Sequence, residues 1–194
     1  IDGLKPVDYI LTTTELADLF IKYKIDLKKI KAQDPDSPFG LPTGAGVIYG
    51  ASGGVAESVL RTVYTKLTKE KISEIEFEEV SGIEGTKSAT VEIKGKKVKI
   101  AVVHGIGNAK KVLEALKENP KLYDYVEVMA CYGGCIGGGG QPIPVNNEIR
   151  KNRMQGLYQI DAKKETRLAH ENSEIKKVYQ DFLTSEEKIH PICH

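Results

Sequence analysis

Apolar positions along the chain follow two periods, which predict strands and helices in alternation. Short apolar or alternating runs predict strands at Asp8–Leu11, Val47–Tyr49, Glu74–Val80, Ala89–Ile93, Val98–Val103 and Tyr125–Met129. Apolar residues three and four positions apart predict helices after Thr12, after Gly54 and near Asn108. Thr12 and Glu15 have the spacing of a capping box, which supports the first helix. Lys94-Gly95-Lys96 predicts a hairpin turn between two of the strands.

Three of the predicted strands end in glycine-rich turns. These turns are Gly50–Gly54, Gly105–Asn108 and Cys131–Gly140. Because ligands gather at the carboxyl ends of strands in α/β sheets, we expect the three turns to converge on one crevice. The predicted fold class is α/β, with a mixed or parallel sheet flanked by helices. Residues Lys28–Gly46 are rich in proline and glycine and predict a loop.

After Pro144 the composition changes, because glycine becomes rare and charged residues become frequent. The apolar spacing there predicts two amphipathic helices, the first ending near Ile160. Suitable N-caps precede both, namely Asn146 or Asn147 and Asn172 or Ser173. We therefore expect two units: residues 1–144, and a helical tail of residues 145–194 that packs on another surface.

The composition excludes several classes of function. The chain has 194 residues, 40% of them hydrophobic and 28% charged, with a net charge of +1. This balance is typical of a globular protein and gives no basis for nucleic-acid or membrane binding. No apolar run is long enough to span a bilayer, and three cysteines do not make a disulfide framework, so we expect a cytoplasmic protein. The first residue is Ile1, so a fragment, a processed product or a part of a larger polypeptide is expected.

Two of the three cysteines, Cys131 and Cys135, lie four residues apart in a glycine-rich segment. Thiolates are soft ligands for iron–sulfur clusters and zinc, and glycines let the backbone approach a bulky inorganic group. The local pattern leaves two interpretations open: ligation of a cluster or metal, and buried, inert cysteines in a turn. A four-coordinate zinc site would need further ligands, for which the C-terminal candidates are His190, Cys193 and His194.

Two other glycine-rich turns carry candidate chemistry. Gly50–Gly54 matches the G-x-S-x-G pattern of a nucleophilic serine at Ser52, with His104 and His170 as candidate bases. The alternative is a tight turn with a capping serine. Gly105-Ile-Gly107 lacks the third glycine of a dinucleotide-binding fingerprint, so we interpret it as a strand-to-helix turn.

The longer segment Glu127–Gln141 has the pattern E-x-M-x-C-x-x-G-C-x-x-G-G-G-Q. This pattern resembles a signature of the catalytic subunit of iron-only (FeFe) hydrogenases. The resemblance extends over nearly the whole chain and includes Asp8–Ala17, Thr43–Val55, Val102–Gly105 and His170–Asn172. It implies the C-terminal half of the hydrogenase catalytic domain, followed by a tail similar to what is a separate small subunit in some relatives.

The resemblance also implies roles for individual residues. Cys131 would ligate a 4Fe-4S cubane, and Cys135 would ligate the same cubane and bridge it to a two-iron subsite carrying CO, cyanide and a dithiolate. Met129 would pack at that subsite, so Cys135 and Met129 are the implied catalytic residues. A turn of small residues would line the other side of the subsite, with Ala45, Tyr49, Gly50, Ala51 and Ser52 as the cofactor-binding residues.

The family signatures that hold the other cubane cysteines and the proton-transfer thiol are absent, and would lie upstream of Ile1. The implied partners are a polypeptide that carries those cysteines, as an upstream part of the same protein or a separate subunit, and an electron carrier such as ferredoxin. The implied activity is reversible H2 oxidation and proton reduction. Two alternatives remain: a cluster-carrying iron–sulfur assembly factor, and a gas-sensing hydrogenase-like regulator, which the departures at Tyr49 and Tyr132 leave open.

Overall fold

The computed structural model describes residues 3, 5, 7–33, 40–72, 75, 78–79 and 85–193. In this part of the chain, one sheet has the strand order β1-β2-β3-β4, with the bounds Glu78–Glu79, Thr86–Ile93, Lys96–His104 and Tyr125–Met129. The first three strands are antiparallel neighbours, and β4 runs parallel to β3. The predicted α/β class with a mixed sheet is therefore confirmed.

The described helices are, in chain order, α1 Thr13–Lys22, α2 Gly44–Ile48, α3 Gly54–Thr68, α4 Ile106–Glu118, α5 Asn147–Lys163, α6 Ser173–Asp181 and α7 Glu186–Cys193. Local sequence explains several of their starts. The capping box predicted for α1 is present, since the Thr12 hydroxyl accepts from the Glu15 amide and the Glu15 carboxylate accepts from the Thr12 amide. Asn146 and Asn172 cap α5 and α6 with their side-chain oxygens.

The sheet combines a hairpin with one crossover. Strands β2 and β3 are joined at Lys94 and Gly95, which both have positive φ, as the predicted tight turn requires. Strand β3 then leads through α4 to the parallel strand β4. The register places His104 opposite Met129, so β3 and β4 end together at one edge of the sheet.

The hydrophobic core lies between helix α3 and the sheet. Ala56 and Leu60 of α3 pack against Ile100 and Val102 of β3, and all four are almost completely buried. Burial of these apolar side chains stabilises the packing of α3 on the sheet. This packing sets the position of the α3 N-terminus relative to the ends of β3 and β4. This placement brings the turn before α3 to the segment that follows β4.

Two predicted strands are wrong. Asp8–Leu11 forms no strand and is exposed; none of the described strands pairs with it, so its backbone lacks the ladder hydrogen bonds that a strand requires. Val47–Tyr49 lies at the end of helix α2, although its β-branched residues favour strands. The cause is the hydroxyl of Thr43, which accepts from the Gly46 amide and starts a helix inside the predicted loop.

Other predictions are met only in part. Within the strand predicted at Glu74–Val80, the structure shows β1 at Glu78–Glu79. Residues 74, 76, 77 and 80 lie outside the described residues. The same holds for residues 34–39 of the predicted loop. The tail contains the two predicted helices, α5 and α6, and a third, α7, that the sequence pattern did not indicate. None of the described helices combines the length and the apolar character needed to cross a bilayer.

Candidate metal centre

The two cysteines lie on a short loop of residues 131–140 that begins directly after β4. A 3-10 turn, Cys135–Gly137, shapes its middle. The Gly134 amide donates to the Cys131 carbonyl, and the Gly138 amide donates to the Cys135 carbonyl. Both thiols are free and both cysteines are exposed. The interpretation as buried, inert cysteines is therefore wrong for this chain.

The turn between α2 and α3 packs against this cysteine loop. The Ser52 amide donates to the Gly133 carbonyl at 3.0 Å, and the Ile136 amide donates to the Gly50 carbonyl at 3.1 Å. Gly134 has φ +90°, and a Cβ there would lie 2.7 Å from the Ser52 amide nitrogen. Only glycine fits this position, for both reasons. The predicted convergence of the Gly50–Gly54 turn and the cysteine loop is confirmed.

Glu127, in the middle of β4, connects the strand that leads into the cysteine loop to the turn before α3. Its side chain is almost fully buried, with 5% exposed. One carboxylate oxygen accepts from the Gly53 amide and the other from the Ala56 amide, each at 2.7 Å. The carboxylate thus satisfies two of the amides at the α3 N-terminus, where the helix dipole also favours negative charge. Glu127 therefore ties the turn to the strand that leads into Cys131.

Helix α1 and helix α5 hold the far end and the middle of the loop. The Thr14 amide donates to the Gly140 carbonyl at 3.0 Å. From α5, the Arg153 guanidinium donates to the carbonyls of Ile136 and Pro142, at 2.7 and 2.8 Å. Hydrogen bonds thus connect the loop to the turn before α3, to α1 and to α5, which restricts the directions of the thiols.

Tyr132, between the two cysteines, contacts a histidine and an arginine and is otherwise partly exposed. Its ring centroid lies 4.0 Å from that of His104, and the Arg150 guanidinium lies 4.9 Å from it. The same arginine fills the space beside Gly137, where a Cβ would lie 2.9 Å from its Nε atom. Tyr132, one of the two departures from the hydrogenase pattern, and Gly137 are therefore both packed against Arg150.

The other predicted site residues differ in how close they lie to the cysteine loop. Gly50, Ala51 and Ser52 lie in the turn against the cysteine loop. Tyr49 is 42% exposed, and its hydroxyl is 3.3 Å from the Ser58 hydroxyl. Ala45 is completely buried in α2, and its amide donates to the carbonyl of Arg167.

Met129 is half-buried at the end of β4, where its carbonyl accepts from the Gly105 amide at 2.8 Å. The roles assigned to Met129, to the residues of α2 and the turn, and to both cysteines stay predictions.

A buried ionic network joins α3 to the tail. Arg61 donates to both carboxylate oxygens of Asp161, at 3.0 and 2.9 Å, and also pairs with Glu57. Arg167 adds a bond of 2.6 Å to Asp161, and the Tyr158 hydroxyl donates to Glu57 at 2.6 Å. Burial alone would raise the pKa of Asp161, but the hydrogen bonds from Arg167 and Arg61 hold this pKa below its ordinary value.

For Tyr158 both effects act in the same direction: burial and the hydrogen bond to Glu57 raise the pKa of its hydroxyl. Glu57, Arg61 and Asp161 were not identified from the sequence as functional residues. The available signal was an acid and a base four residues apart on α3, the spacing at which two side chains meet on one side of a helix.

The donor set fits half of a 4Fe-4S site. Two exposed thiols on one glycine-rich loop are the ligand type that iron–sulfur clusters use, and four are needed. Gly138 lies next to the first thiol, since a Cβ built there would lie 3.6 Å from the Cys131 sulfur, in ordinary van der Waals contact. Over the described residues, no group of three or more His, Cys, Asp or Glu side chains could hold a metal ion. A 4Fe-4S cluster held by these two thiols would therefore need further ligands from outside the described residues.

The structure does not support the other two candidate sites, the nucleophilic serine and the C-terminal zinc site. A nucleophilic serine turn follows a strand, whereas Ser52 follows helix α2. His170 lies 3.2 Å from the Thr62 hydroxyl through its Nδ1 atom. The alternative zinc ligands are only partly described, since the side chain of Cys193 and all of His194 lie outside the described residues. The turn at Gly105 joins β3 to α4, as expected from the sequence.

Two family models match the chain. The model described as "Iron only hydrogenase large subunit, C-terminal domain" matches residues 2–139. The model described as "Iron hydrogenase small subunit" matches residues 147–194. Together they cover almost the whole chain, including the cysteine loop in the first and helices α5 to α7 in the second.

Individual relatives give the same picture. The chain is 41% identical to "NADP-reducing hydrogenase subunit HndD" of Solidesulfovibrio fructosivorans, over 100% of the chain and 34% of the relative. It is 26% identical to "Cytosolic Fe-S cluster assembly factor narfl" of Danio rerio, over 98% of the chain and 47% of the relative. A solved FeFe-hydrogenase superposes with a TM-score of 0.75 at 32% identity, over 99% of the chain and 55% of that protein. The chain thus spans about a third to a half of the length of these proteins.

Proposed function

This chain belongs to the iron-only hydrogenase family, and we propose that it forms the C-terminal half of a hydrogenase active site that interconverts H2 with protons and electrons. The observation that carries the proposal is the pair of free, exposed thiols on a loop joined by hydrogen bonds to the Gly50–Ser52 turn. A site with this ligand type and a rigid glycine-rich wall suits a bulky iron–sulfur group.

In this proposal the cysteines share the ligation of one group. Cys131 and Cys135 would hold a 4Fe-4S cluster, and Cys135 would also serve as a ligand for a two-iron subsite with CO, cyanide and dithiolate ligands. When bound, this group supplies electron transfer and the activation of H2. The chain's own contribution is placement: Glu127, Arg153 and the Gly50–Ser52 turn fix the loop before the group is bound, which lowers the cost of ordering it.

The surrounding residues give the site its shape. Tyr49 is exposed beside the turn and supplies an aromatic wall, and Met129 supplies a polarisable thioether at the end of β4. The small residues Gly50 and Ala51 leave room for diatomic ligands. Ser52 contributes its backbone amide to the loop contact.

The proposal requires a partner polypeptide. Two thiols complete only half of a cubane, and the chain spans about a third of the hydrogenase relative that it matches. An upstream part of the same protein, or a separate subunit, supplies the other cysteines and the proton-transfer residue. An electron carrier such as ferredoxin supplies or removes electrons. The cytoplasmic location expected from the composition stays a prediction.

A second candidate function is an iron–sulfur assembly factor that carries a cluster without H2 chemistry. The observation in its favour is the similarity to the narfl assembly factor over 98% of the chain. The higher identity to the HndD hydrogenase subunit favours the enzyme. The two candidates differ in one property, the presence of CO and cyanide on the bound iron.

Infrared spectroscopy separates the two functions. The chain is purified with its partner polypeptide after maturation, and the spectrum is recorded between the amide and C–H regions. CO and cyanide bands, together with H2 turnover, support the hydrogenase. An intact cluster signal without these bands overturns the hydrogenase proposal and supports the assembly factor.

Cysteine variants test the ligand assignment. We expect Cys131→Ser and Cys135→Ser to lose bound iron, because a hydroxyl is a much poorer ligand for iron–sulfur clusters than a thiolate. Cys193→Ser is the matched control, because it makes the same substitution in α7, outside the cysteine loop. Iron analysis and visible absorption measure the outcome. Equal iron loss in all three variants would contradict the assignment.

A further inference from the structure

A cavity of about 400 Å³ lies beside the cysteine loop. Its wall combines three parts of the fold: the loop, the sheet and helix α5. The lining residues that matter here are Tyr132, Lys87, His104, Asn147, Arg150 and Lys151. Three of these six carry a permanent positive charge at neutral pH, and no Asp or Glu is among the lining residues that the structure describes.

The charged side chains that line the cavity are all positive. The whole chain has 28 basic and 27 acidic residues, so a wall with cations and without carboxylates does not follow from composition. Neither Arg150 nor Lys151 has a carboxylate within 4.0 Å among the described residues. Like charges around one cavity repel each other, and an anion placed between them removes this repulsion.

Arg150 is the central residue of this wall. Its Nη1 atom donates to the Asn147 side-chain oxygen at 2.9 Å, and its guanidinium lies over the Tyr132 ring. Its Nε atom is buried and has no hydrogen-bond acceptor among the described residues. Burial closes the Nε atom to a ligand, so the capacity for an acceptor lies with the Nη2 atom, which makes no hydrogen bond among the described residues.

We propose that this cavity binds a small oxyanion of the carboxylate or phosphate class. The planar guanidinium of Arg150 matches the geometry of both groups, and Lys151 and Lys87 add point charges. The volume accommodates an anion of several non-hydrogen atoms rather than a single ion. The inference concerns a site other than the thiols and does not depend on the proposed function.

Calorimetric titration of the full chain with inorganic phosphate and with citrate tests the proposal. We expect saturable binding of one anion per chain that weakens as ionic strength rises. Lys151→Gln is expected to weaken binding roughly tenfold, as the loss of one charged contact does. Arg150→Lys keeps the charge and loses the planar fork, and is expected to weaken binding as well. The anion that binds more tightly identifies the class.

The matched control is Lys111→Gln, which removes an exposed lysine from α4, outside the cavity. Its affinity is expected to equal that of the unaltered chain. Circular dichroism of each variant confirms that the fold is retained. Absence of saturable binding by the unaltered chain overturns the proposal. Equal weakening by Lys111→Gln and Lys151→Gln also overturns it, because it would show attraction to the general surface charge.

Discussion

Glu127→Gln is the substitution that tests how the site is assembled. The glutamine has nearly the same size, and its oxygen still accepts from one of the two amides, Gly53 or Ala56. Its nitrogen cannot accept, so one buried backbone N–H loses its partner, which costs about 1–3 kcal/mol. The remaining bond loses its charge assistance and the favourable interaction with the α3 dipole, about 1 kcal/mol more. We therefore expect a loss of about 2–4 kcal/mol in the free energy of unfolding.

Urea unfolding followed by circular dichroism measures this loss, and thermal unfolding should show a decrease in Tm of roughly 5–15 °C for a chain of this length. Glu114→Gln is the matched control, because Glu114 is exposed on α4. The control is expected to change the free energy of unfolding by less than about 0.5 kcal/mol. A similarly small effect of Glu127→Gln would refute the reasoning that this carboxylate holds the turn to β4.

Three further predictions follow from the same contacts. Gly134→Ala should destabilise the chain by more than about 1 kcal/mol in urea unfolding, because the new Cβ would meet the Gly50–Ser52 backbone and the residue has a positive φ. Gly139→Ala is the control, because a Cβ there would meet open space. Equal effects of the two substitutions would contradict the close approach at Gly134. Asp161→Asn should cost about 1–3 kcal/mol, since Arg61 keeps Glu57 but loses one of its two charged acceptors. An unchanged urea midpoint would contradict this. The folded-state pKa of Asp161 is lowered, so its contribution is complete above the unfolded pKa of about 3.9 and is lost as the pH falls through the folded value. Urea midpoints of the unaltered chain should therefore decrease more steeply below pH 4 than those of Asp161→Asn, and parallel curves would exclude Asp161 as the cause.

Features of the candidate site that depend on residues close together in the sequence could be predicted. The spacing of Cys131 and Cys135 and the adjacent glycines indicated a cluster loop, and the turn at Gly50 was expected to approach it. The function of Glu127 was not predicted, although this residue belongs to the same pattern. Its acceptor role depends on the Gly53 and Ala56 amides, which lie 74 and 71 residues away.

The fold shows the same division. The capping box at Thr12 and the hairpin at Lys94 and Gly95 were predicted, because each involves residues within one turn of the chain. The segment Val47–Tyr49 was predicted as a strand and lies at the end of α2. Its β-branched residues favour strands only weakly, and burial of Ile48 together with the Thr43 cap outweighs that preference.

By itself, the sequence determined the capping box at Thr12, the hairpin and the family, and it indicated thiolates as the candidate ligands, since all of these depend on residue identities at short spacing. Only the tertiary structure decided that Glu127 binds the α3 N-terminus and that Arg61 pairs with Asp161, 100 residues away. It also decided that Arg150 packs against Tyr132 and leaves a cationic cavity beside the cysteines. The physical reason is that a charged side chain has many acceptors or donors available in the chain, and the packing of α3, α5 and the sheet determines which of them it meets.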